Sequence, residues 1–275
     1  MAKKIAFKDL PCWARDAIAD NTAGAFLMTN NNHPLKERTN TMLAFYGVQE
    51  MKDRYLAAVR SHNASATDAW WHGVSGKIIC PDSEVYELAL GIPRAVPCLI
   101  HRICWGLPKE KQSDYLELVL SAIRPGADLA DIYRQFAAWI LADSHEGVIR
   151  FVNTEACRNA ISGVAQLLGA QCTHTDVWRK AAHEVGEVMS ALSRSPYPVP
   201  AEIASPQRGT HAMWVARLAL DVARSVAETM AGAPYWSDVS LKAVDTESGW
   251  ADTNQDSASV YARHFEKLLE LLRAA

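Results

Sequence analysis

Apolar residues along this chain recur mostly every three or four positions, which is the spacing of an amphipathic α-helix. One segment shows this clearly, because five apolar residues fall on one helical face: Leu129, Ile132, Tyr133, Phe136 and Ile140. Alternation of apolar and polar residues, the pattern of a half-buried strand, is scarce. The sequence therefore predicts an all-α protein built as a multi-helix globular bundle.

Capping residues, glycines and prolines indicate where the helices begin and end. We expect a long helix over 35–62, a helix that starts at the cap residue Thr154, and a final helix over 258–273. Two further helices begin near Asp176 and His211. Each of these two has an apolar side and a charged side, so both are predicted to lie on the surface of the bundle.

Two segments interrupt the helical pattern. Residues 193–208 contain four prolines, and residues 231–257 combine Gly232, Pro234 and Gly249 with short polar side chains. Both are predicted to be irregular. We expect 1–275 to form a single helical domain, and the proline-rich segment 193–208 is the best candidate for a boundary if the chain has one.

Tryptophans recur at intervals of 34 to 39 residues, a period that stacked helical hairpins produce: Trp71, Trp105, Trp139, Trp178, Trp214 and Trp250. The residues around them do not match, so the repeats would be degenerate and solenoid-like. The alternative is that tryptophan simply fills the core at irregular sites. In that interpretation Trp178 and Trp214 lie at or beside core contacts.

Composition and charge exclude several classes of protein. The net charge is −3 and the pI is near 6.3, without the basic excess that is typical of nucleic-acid binders. No apolar run has the roughly eighteen residues that a membrane span needs. The six cysteines are widely spaced and no secretory signal is recognisable, so reduced thiols and a cytoplasmic location are expected.

One segment has the residue types of a Cys₃His zinc site: Cys98, His101 and Cys104, with Cys80 upstream. Six residues of continuous helix separate Cys98 from Cys104, a rise of roughly 9 Å. Sulfurs that share one zinc ion lie no more than about 4 Å apart. The segment is therefore predicted to hold two small buried thiols beside a histidine.

Two other patterns resemble metal sites only in part. His183 and Glu187 lie one turn apart, but on the polar side of their helix, where a solvated face is expected. Asp252 opens a run like the start of a calcium loop, yet Ser257 stands where Gly is needed and Arg263 where Glu is needed. We therefore predict no metal ion, and no cofactor is indicated.

No catalytic motif is visible, so the function is inferred from the loops and the aromatic residues. We expect a non-catalytic helical binding or interaction protein that recognises a protein or a small ligand, as a monomer or a homo-oligomer. The alternative is an enzyme whose catalytic residues are dispersed over several helices and meet only in the fold. A small-molecule sensor lies between these two.

The binding site is predicted in the irregular segment 231–257, at Tyr235, Trp236, Trp250 and Asp252. Aromatic residues dominate binding hot spots, and loops on a helical frame often carry binding residues. Acidic neighbours would favour a partner with a basic patch. The competing interpretation is that Tyr235 and Trp236 only pack the loop onto the helices.

Overall fold

A computed structural model of the chain describes residues 43–61, 90–108, 110, 112–194, 206–233, 238–250 and 257–275. These residues form nine α-helices and two short 3₁₀ helices, and their only strand-like pairing is a single bridge between Leu43 and Asp128. The predicted all-α, multi-helix bundle is confirmed. Within the same ranges no helix has the length and apolar character needed to cross a membrane.

The helices are numbered in chain order. They are α1 (Gln49–Ser61), α2 (Ala95–Trp105), α3 (Gln112–Ala122), α4 (Ile132–Ala142), α5 (Glu155–Gly169), α6 (Thr175–Arg194), α7 (Pro206–Met230), α8 (Asp238–Trp250) and α9 (Ser257–Ala274), with 3₁₀ helices at Ala44–Gly47 and Val148–Phe151. The chain divides into two compact units. Of the described residues, the first unit holds 43–61, 90–97, 110, 112–130 and 275, and the second holds those in 98–108 and 131–274.

In the first unit, α1 packs against α3. The side chain of Lys52 on α1 caps the C-terminal end of α3. The Lys52 Nζ donates hydrogen bonds to the carbonyl oxygens of Ser121 and Ile123, at 2.8 and 2.7 Å. Carbonyls at a helix end have no partner inside the helix, so Lys52 supplies the missing donors. The side chain is buried, and this burial lowers the pKa of its ammonium group.

The prediction of one long helix over 35–62 is wrong, because the described part of that range begins with the short 3₁₀ helix Ala44–Gly47 and becomes α-helical only with α1. Phe45 and Tyr46 both have a φ of 51°, which no α-helix contains. The amide of Ala44 donates instead to the carbonyl of Ala127 at 2.9 Å. A tertiary hydrogen bond to a distant segment has overridden the local helical periodicity.

The second unit is built around α7, which packs against α5, α6, α8 and the 3₁₀ helix Val148–Phe151. The sequence predicts a surface helix here, but α7 is buried over much of its circumference. Many of the residues that its neighbours cover are alanines: Ala212, Ala216, Ala219, Ala223 and Ala227. Small side chains at a helix contact allow a short distance between the axes, so several helices can surround α7.

Helix α6 has the apolar face that was predicted for it, with Trp178, Ala181 and Val185 among the buried residues. The indole Nε1 of Trp178 donates to the carbonyl of Cys172 at 3.0 Å, so its one polar group is satisfied. Trp178 is only 1% exposed, whereas Trp214 on α7 is 48% exposed. The expectation of a core position is confirmed for Trp178 and is wrong for Trp214.

Helix α8 lies in the segment 231–257 that was predicted to be irregular. Val239, Ala243 and Val244 are buried, and α8 packs against both α7 and α9. Helices in proteins owe most of their stability to such packing, which here offsets the weak helix propensity of the segment. The prediction of an irregular segment is therefore wrong for residues 238–250.

The predicted domain organisation and the predicted repeats both stay predictions. The proline-rich segment 193–208 lies within the chain range of the second unit, and its residues 195–205 are outside the described ranges. The tryptophans that are spaced like a repeat differ in environment, as Trp178 and Trp214 show.

Candidate functional site

A carboxylate is buried in the second unit, at Glu247 on α8, whose side chain is 2% exposed. Its Oε2 is bound by Arg150 of the second 3₁₀ helix, at 3.0 Å, and by Arg263 of α9. A buried charge is tolerated only when it is paired and hydrogen-bonded, and the two guanidinium groups provide this. Together with His264 and Ser240, these three residues are called the Glu247 cluster below.

One further residue, Glu146, balances the charges of the Glu247 cluster. Arg263 also binds Glu146 through its Nε, at 2.9 Å, so two arginines face two glutamates. Burial raises the pKa of Glu247, and the nearby Arg263 and Arg150 oppose that rise. The arginines therefore favour the ionised carboxylate inside the protein.

His264 is the second buried polar group of the cluster, with 2% exposure. Its Nδ1 lies 2.9 Å from the Ser240 Oγ, and its Nε2 faces the Glu247 Oε1 at 3.9 Å. Burial, with a smaller effect of Arg263, lowers the pKa of His264 to about 3, so the ring is neutral at physiological pH. A carboxylate opposite Nε2 favours the tautomer with its proton there, in which Nδ1 accepts from Ser240.

The arrangement resembles a Ser-His-acid catalytic triad, because the ring of His264 lies between Ser240 and the carboxylate of Glu247. It does not have the chemistry of such a triad. A nucleophilic serine must reach a substrate, whereas Ser240 is fully buried. A general base works best with a pKa near the operating pH, and His264 is far below it. The trio is therefore a buried structural cluster, in which Ser240 is hydrogen-bonded to His264 and the carboxylate of Glu247 lies 3.9 Å from the ring.

A groove of about 840 Å³ lies along α9, beside the Glu247 cluster, and is open to solvent. It is called the α9 groove below. One side is a stripe of α9, and the remainder comes from α4 and from the loop that follows it. The lining residues are Trp139, Glu146, Ala262, Arg263, Glu266, Lys267, Glu270, Arg273 and Ala274.

Arg263 belongs both to the α9 groove and to the Glu247 cluster. Glu247 holds its guanidinium group from the buried side, so the position of a groove side chain is fixed by the core of the unit. Trp139 also connects the α9 groove with the Glu247 cluster, because its ring packs edge-on against His264 with 5.6 Å between centroids. The groove is thus built on a polar and aromatic base.

Glu146 is placed in the α9 groove by a tight turn. The Asp143 Oδ1 accepts hydrogen bonds from the backbone amides of His145 and Glu146, both at 2.9 Å, and these bonds lower the pKa of Asp143. A Cβ on Gly147 would lie 2.6 Å from the Asp143 backbone, so only glycine fits there. The close approach at Gly147 and the Asp143 hydrogen bonds together set the position of Glu146.

Of the four residues predicted to bind a partner, only Trp250 lies within the described ranges. Tyr235, Trp236 and Asp252 lie outside the described residues. Trp250 is the last residue of α8, three positions after Glu247, and nothing is described of its side chain. The predicted loop site stays a prediction.

The residues of the Glu247 cluster were missed by sequence reasoning, although one signal was present. In α9 the polar His264 falls on the apolar stripe, between the buried residues Tyr261 and Leu268. A polar residue on an apolar face is buried and needs a hydrogen-bond partner. The partners could not be identified, because Ser240 and Glu247 lie on a different helix.

None of the candidate metal ligands belongs to the Glu247 cluster. Cys98 and Cys104 are buried in the continuous helix α2, as predicted, and burial raises the pKa of Cys104 to about 12. His183 and Glu187 are exposed on α6. In the part of the chain that the structure describes, no three His, Cys, Asp or Glu side chains are grouped so that they could hold a metal ion.

No family model matches the chain, and no curated protein or solved structure matches it either. The chemistry of the α9 groove and of the Glu247 cluster is therefore what bears on function.

Proposed function

We propose that this chain is a non-catalytic interaction protein, and that its second unit binds another polypeptide along the α9 groove. The observation that carries the proposal is the shape of the groove, which follows α9 from Ala262 to Ala274. At about 1.5 Å per residue that distance is roughly 18 Å. An extended segment or a helix of a partner fits such a groove lengthwise.

The openness of the α9 groove supports a polypeptide over a small molecule. Pockets for small ligands enclose most of the ligand surface, about 70–90% of it. The α9 groove instead has one helix along its side and is open to solvent. Half-buried Trp139 offers a partner the type of aromatic contact that dominates protein interfaces.

The charges of the α9 groove indicate which partner surface it favours. Three acidic and three basic side chains line it: Glu146, Glu266, Glu270, Arg263, Lys267 and Arg273. Because the two signs balance, the groove favours a segment that carries both acidic and basic residues. Charge complementarity of this kind mainly determines specificity and orientation.

Part of the α9 groove is already ordered before a partner binds. The Arg263 side chain is held by Glu146 and by buried Glu247. Side chains that are fixed in advance lose less conformational entropy on binding, which increases affinity. A structural role for the Glu247 cluster and a binding role for the groove are therefore compatible.

A cytoplasmic location belongs to the same proposal. Cys98, Cys104, Cys157 and Cys172 are free thiols in the described part of the chain. Reduced cysteines of this kind are typical of proteins in a reducing compartment.

Site-specific photo-crosslinking tests the proposal in the full chain. The photo-reactive residue p-benzoylphenylalanine replaces Glu270, an exposed residue of the α9 groove. The matched control carries the same group in place of Glu184, an exposed residue of α6 that lines neither this groove nor the Glu247 cluster. Both proteins are irradiated in host-cell lysate, and the adducts are identified by mass spectrometry.

We expect a discrete polypeptide adduct at the Glu270 position and only diffuse labelling at the Glu184 position. The adduct should weaken when Trp139 is changed to Ala in the crosslinking protein. If the two positions give the same adducts, the α9 groove is not the binding surface and the proposal fails.

A further inference from the structure

The charged residues in the middle of the α9 groove form a self-complementary pattern. Arg263, Glu266, Lys267 and Glu270 alternate as positive, negative, positive and negative along one stripe of α9. The positions of these four residues are symmetric about a point between Glu266 and Lys267, and Arg273, the next charge along the groove, lies outside this set. Reversing the direction of the helix therefore converts each of the four charges into its opposite.

We infer that the polypeptide in the α9 groove is a second copy of this chain, with the two α9 helices antiparallel. The inference rests on the proposed function and adds the identity of the partner. With a twofold axis at the midpoint of the stripe, Arg263 meets Glu270 of the second copy, and Glu266 meets Lys267. The twofold operation generates both pairs again, as in any isologous dimer, so four opposite-charge contacts form.

Other arrangements of two α9 helices satisfy these charges less well. Parallel helices in register would place each residue against its own copy, which brings like charges together. An antiparallel pair shifted by four residues would match only half of the stripe. Like-charge contacts suppress wrong alignments, so the pattern disfavours both of these arrangements.

Three of the four charged residues of the stripe already form ion pairs within the described part of the chain, and the fourth, Glu266, does not. Lys267 binds Glu270 at 2.8 Å, and both Arg263 contacts are with Glu146 and Glu247. Glu266 has no ion-pair partner within the described ranges and is exposed. We expect the Glu266–Lys267 contact across the axis to be the main polar contribution.

The dimer that this surface supports is a weak one. A single helix face is smaller than the roughly 800 Å² per partner of a stable interface, and exposed ion pairs are screened by salt. We expect dissociation constants on the order of tens of micromolar or weaker, and a further weakening as ionic strength rises.

Sedimentation equilibrium of the full chain tests the inference. The wild-type mass should increase from 30.3 kDa towards twice that value as concentration rises. In Glu266→Lys both central contacts become Lys against Lys, and in Lys267→Glu they become Glu against Glu. Each variant alone should therefore stay monomeric at concentrations where the wild type dimerises.

Two complementary samples test whether the charges at 266 and 267 meet across the interface. An equimolar mixture of Glu266→Lys and Lys267→Glu restores opposite charges at both central contacts, so a mixed dimer should form. The double variant carries both changes in the same chain, so opposite charges again meet across the twofold axis. It should therefore form a homodimer. Circular dichroism confirms that each variant is folded, and Glu184→Lys on α6 serves as the charge-matched control that still dimerises.

A wild type that stays monomeric throughout, or single variants that dimerise like the wild type, would overturn the inference. The proposed function is judged separately, from the crosslinking at Glu270. An adduct with a different polypeptide leaves that function intact and removes only the second copy as the partner. Equal labelling of the groove and the control position removes both.

Discussion

Arg263 and Glu247 form an ion pair between α9 and α8 in which the carboxylate is buried and the guanidinium lines the α9 groove. A buried ion pair is weak support for stability, since removing two charges from water costs about as much as their attraction returns. Its clearer effect here is geometric. Glu247 keeps a groove side chain in one position, so the order of the groove depends on the core.

Replacing Glu247 should destabilise the second unit far more than replacing Glu146. The change Glu247→Ala leaves Arg150 and Arg263 without their shared carboxylate, and breaking a buried pair costs about 3–5 kcal/mol. Both arginines are about one-third exposed and can turn to water, so we expect the lower end of that range. Urea unfolding followed by circular dichroism measures the loss.

The matched control is Glu146→Ala, which removes the other carboxylate of the same arginine. Its side chain is 35% exposed, and a pair near the surface contributes about 1 kcal/mol or less. Equal losses for the two variants would contradict a special role of the buried carboxylate.

The stability of the protein should fall as the pH drops below 6.5, because of His264. The unfolded histidine takes up a proton near its ordinary pKa of 6.5, whereas the folded one does so only near 3. Each pH unit in this window costs about 1.4 kcal/mol, so lowering the pH from 7 to 5 should cost roughly 2 kcal/mol. Glu247 acts in the opposite direction, because its pKa is raised in the folded state.

The variant His264→Asn isolates the histidine contribution, because asparagine does not titrate and its amide can still bond to Ser240. Unfolding free energies at pH 7, 6 and 5 should show a shallower decline for the variant than for the wild type. Parallel curves would mean that His264 is not buried as a neutral ring.

Gly106 should tolerate no side chain, because the ring of Tyr261 lies against it. A Cβ at this position would come within 2.1 Å of the buried ring. We expect Gly106→Ala to cost about 1–3 kcal/mol, as overpacking usually does. In the helix α5, Gly163→Ala is the control, since a Cβ there meets nothing within 4 Å and should raise stability by about 0.5–1 kcal/mol.

A double-mutant cycle with Tyr261→Ala distinguishes the clash from a general loss of helix stability. If the clash is the cause, Gly106→Ala should cost much less once the ring is removed. An unchanged cost in the Tyr261→Ala background would rule out the contact as the reason.

The sequence predicts those helices whose apolar residues all face one neighbour, and fails where packing alone decides. Helix α6 and the final helix α9 follow their periodicity closely, with Trp178 and Leu268 buried as the pattern requires. Helix α8 contains Ser, Thr and Gly residues of weak helix propensity, and its packing against neighbouring helices, among them α7 and α9, offsets this. Periodicity also misplaced Trp214, because it does not show which part of a helix its neighbours cover.

The site was harder to predict than the fold because its members come from separate helices. Arg150 lies far from Glu247 in the chain, and Arg263 lies on the next helix. Each of the three alone looks like an ordinary surface charge. Only His264 was detectable, as a polar residue on an apolar stripe. The charge alternation of α9 is visible in the sequence, but its exposure along a groove is not.

The alanines of α7 also limit how sequences related to this one can diverge. At Ala216 and Ala223 a larger side chain would push a neighbouring helix away, unless a residue across the contact became smaller at the same time. Arg217 and Arg224, one position further along, are exposed and free of this coupling. In a set of relatives, we therefore expect the alanine positions to change rarely and in compensating pairs, while their arginine neighbours vary independently.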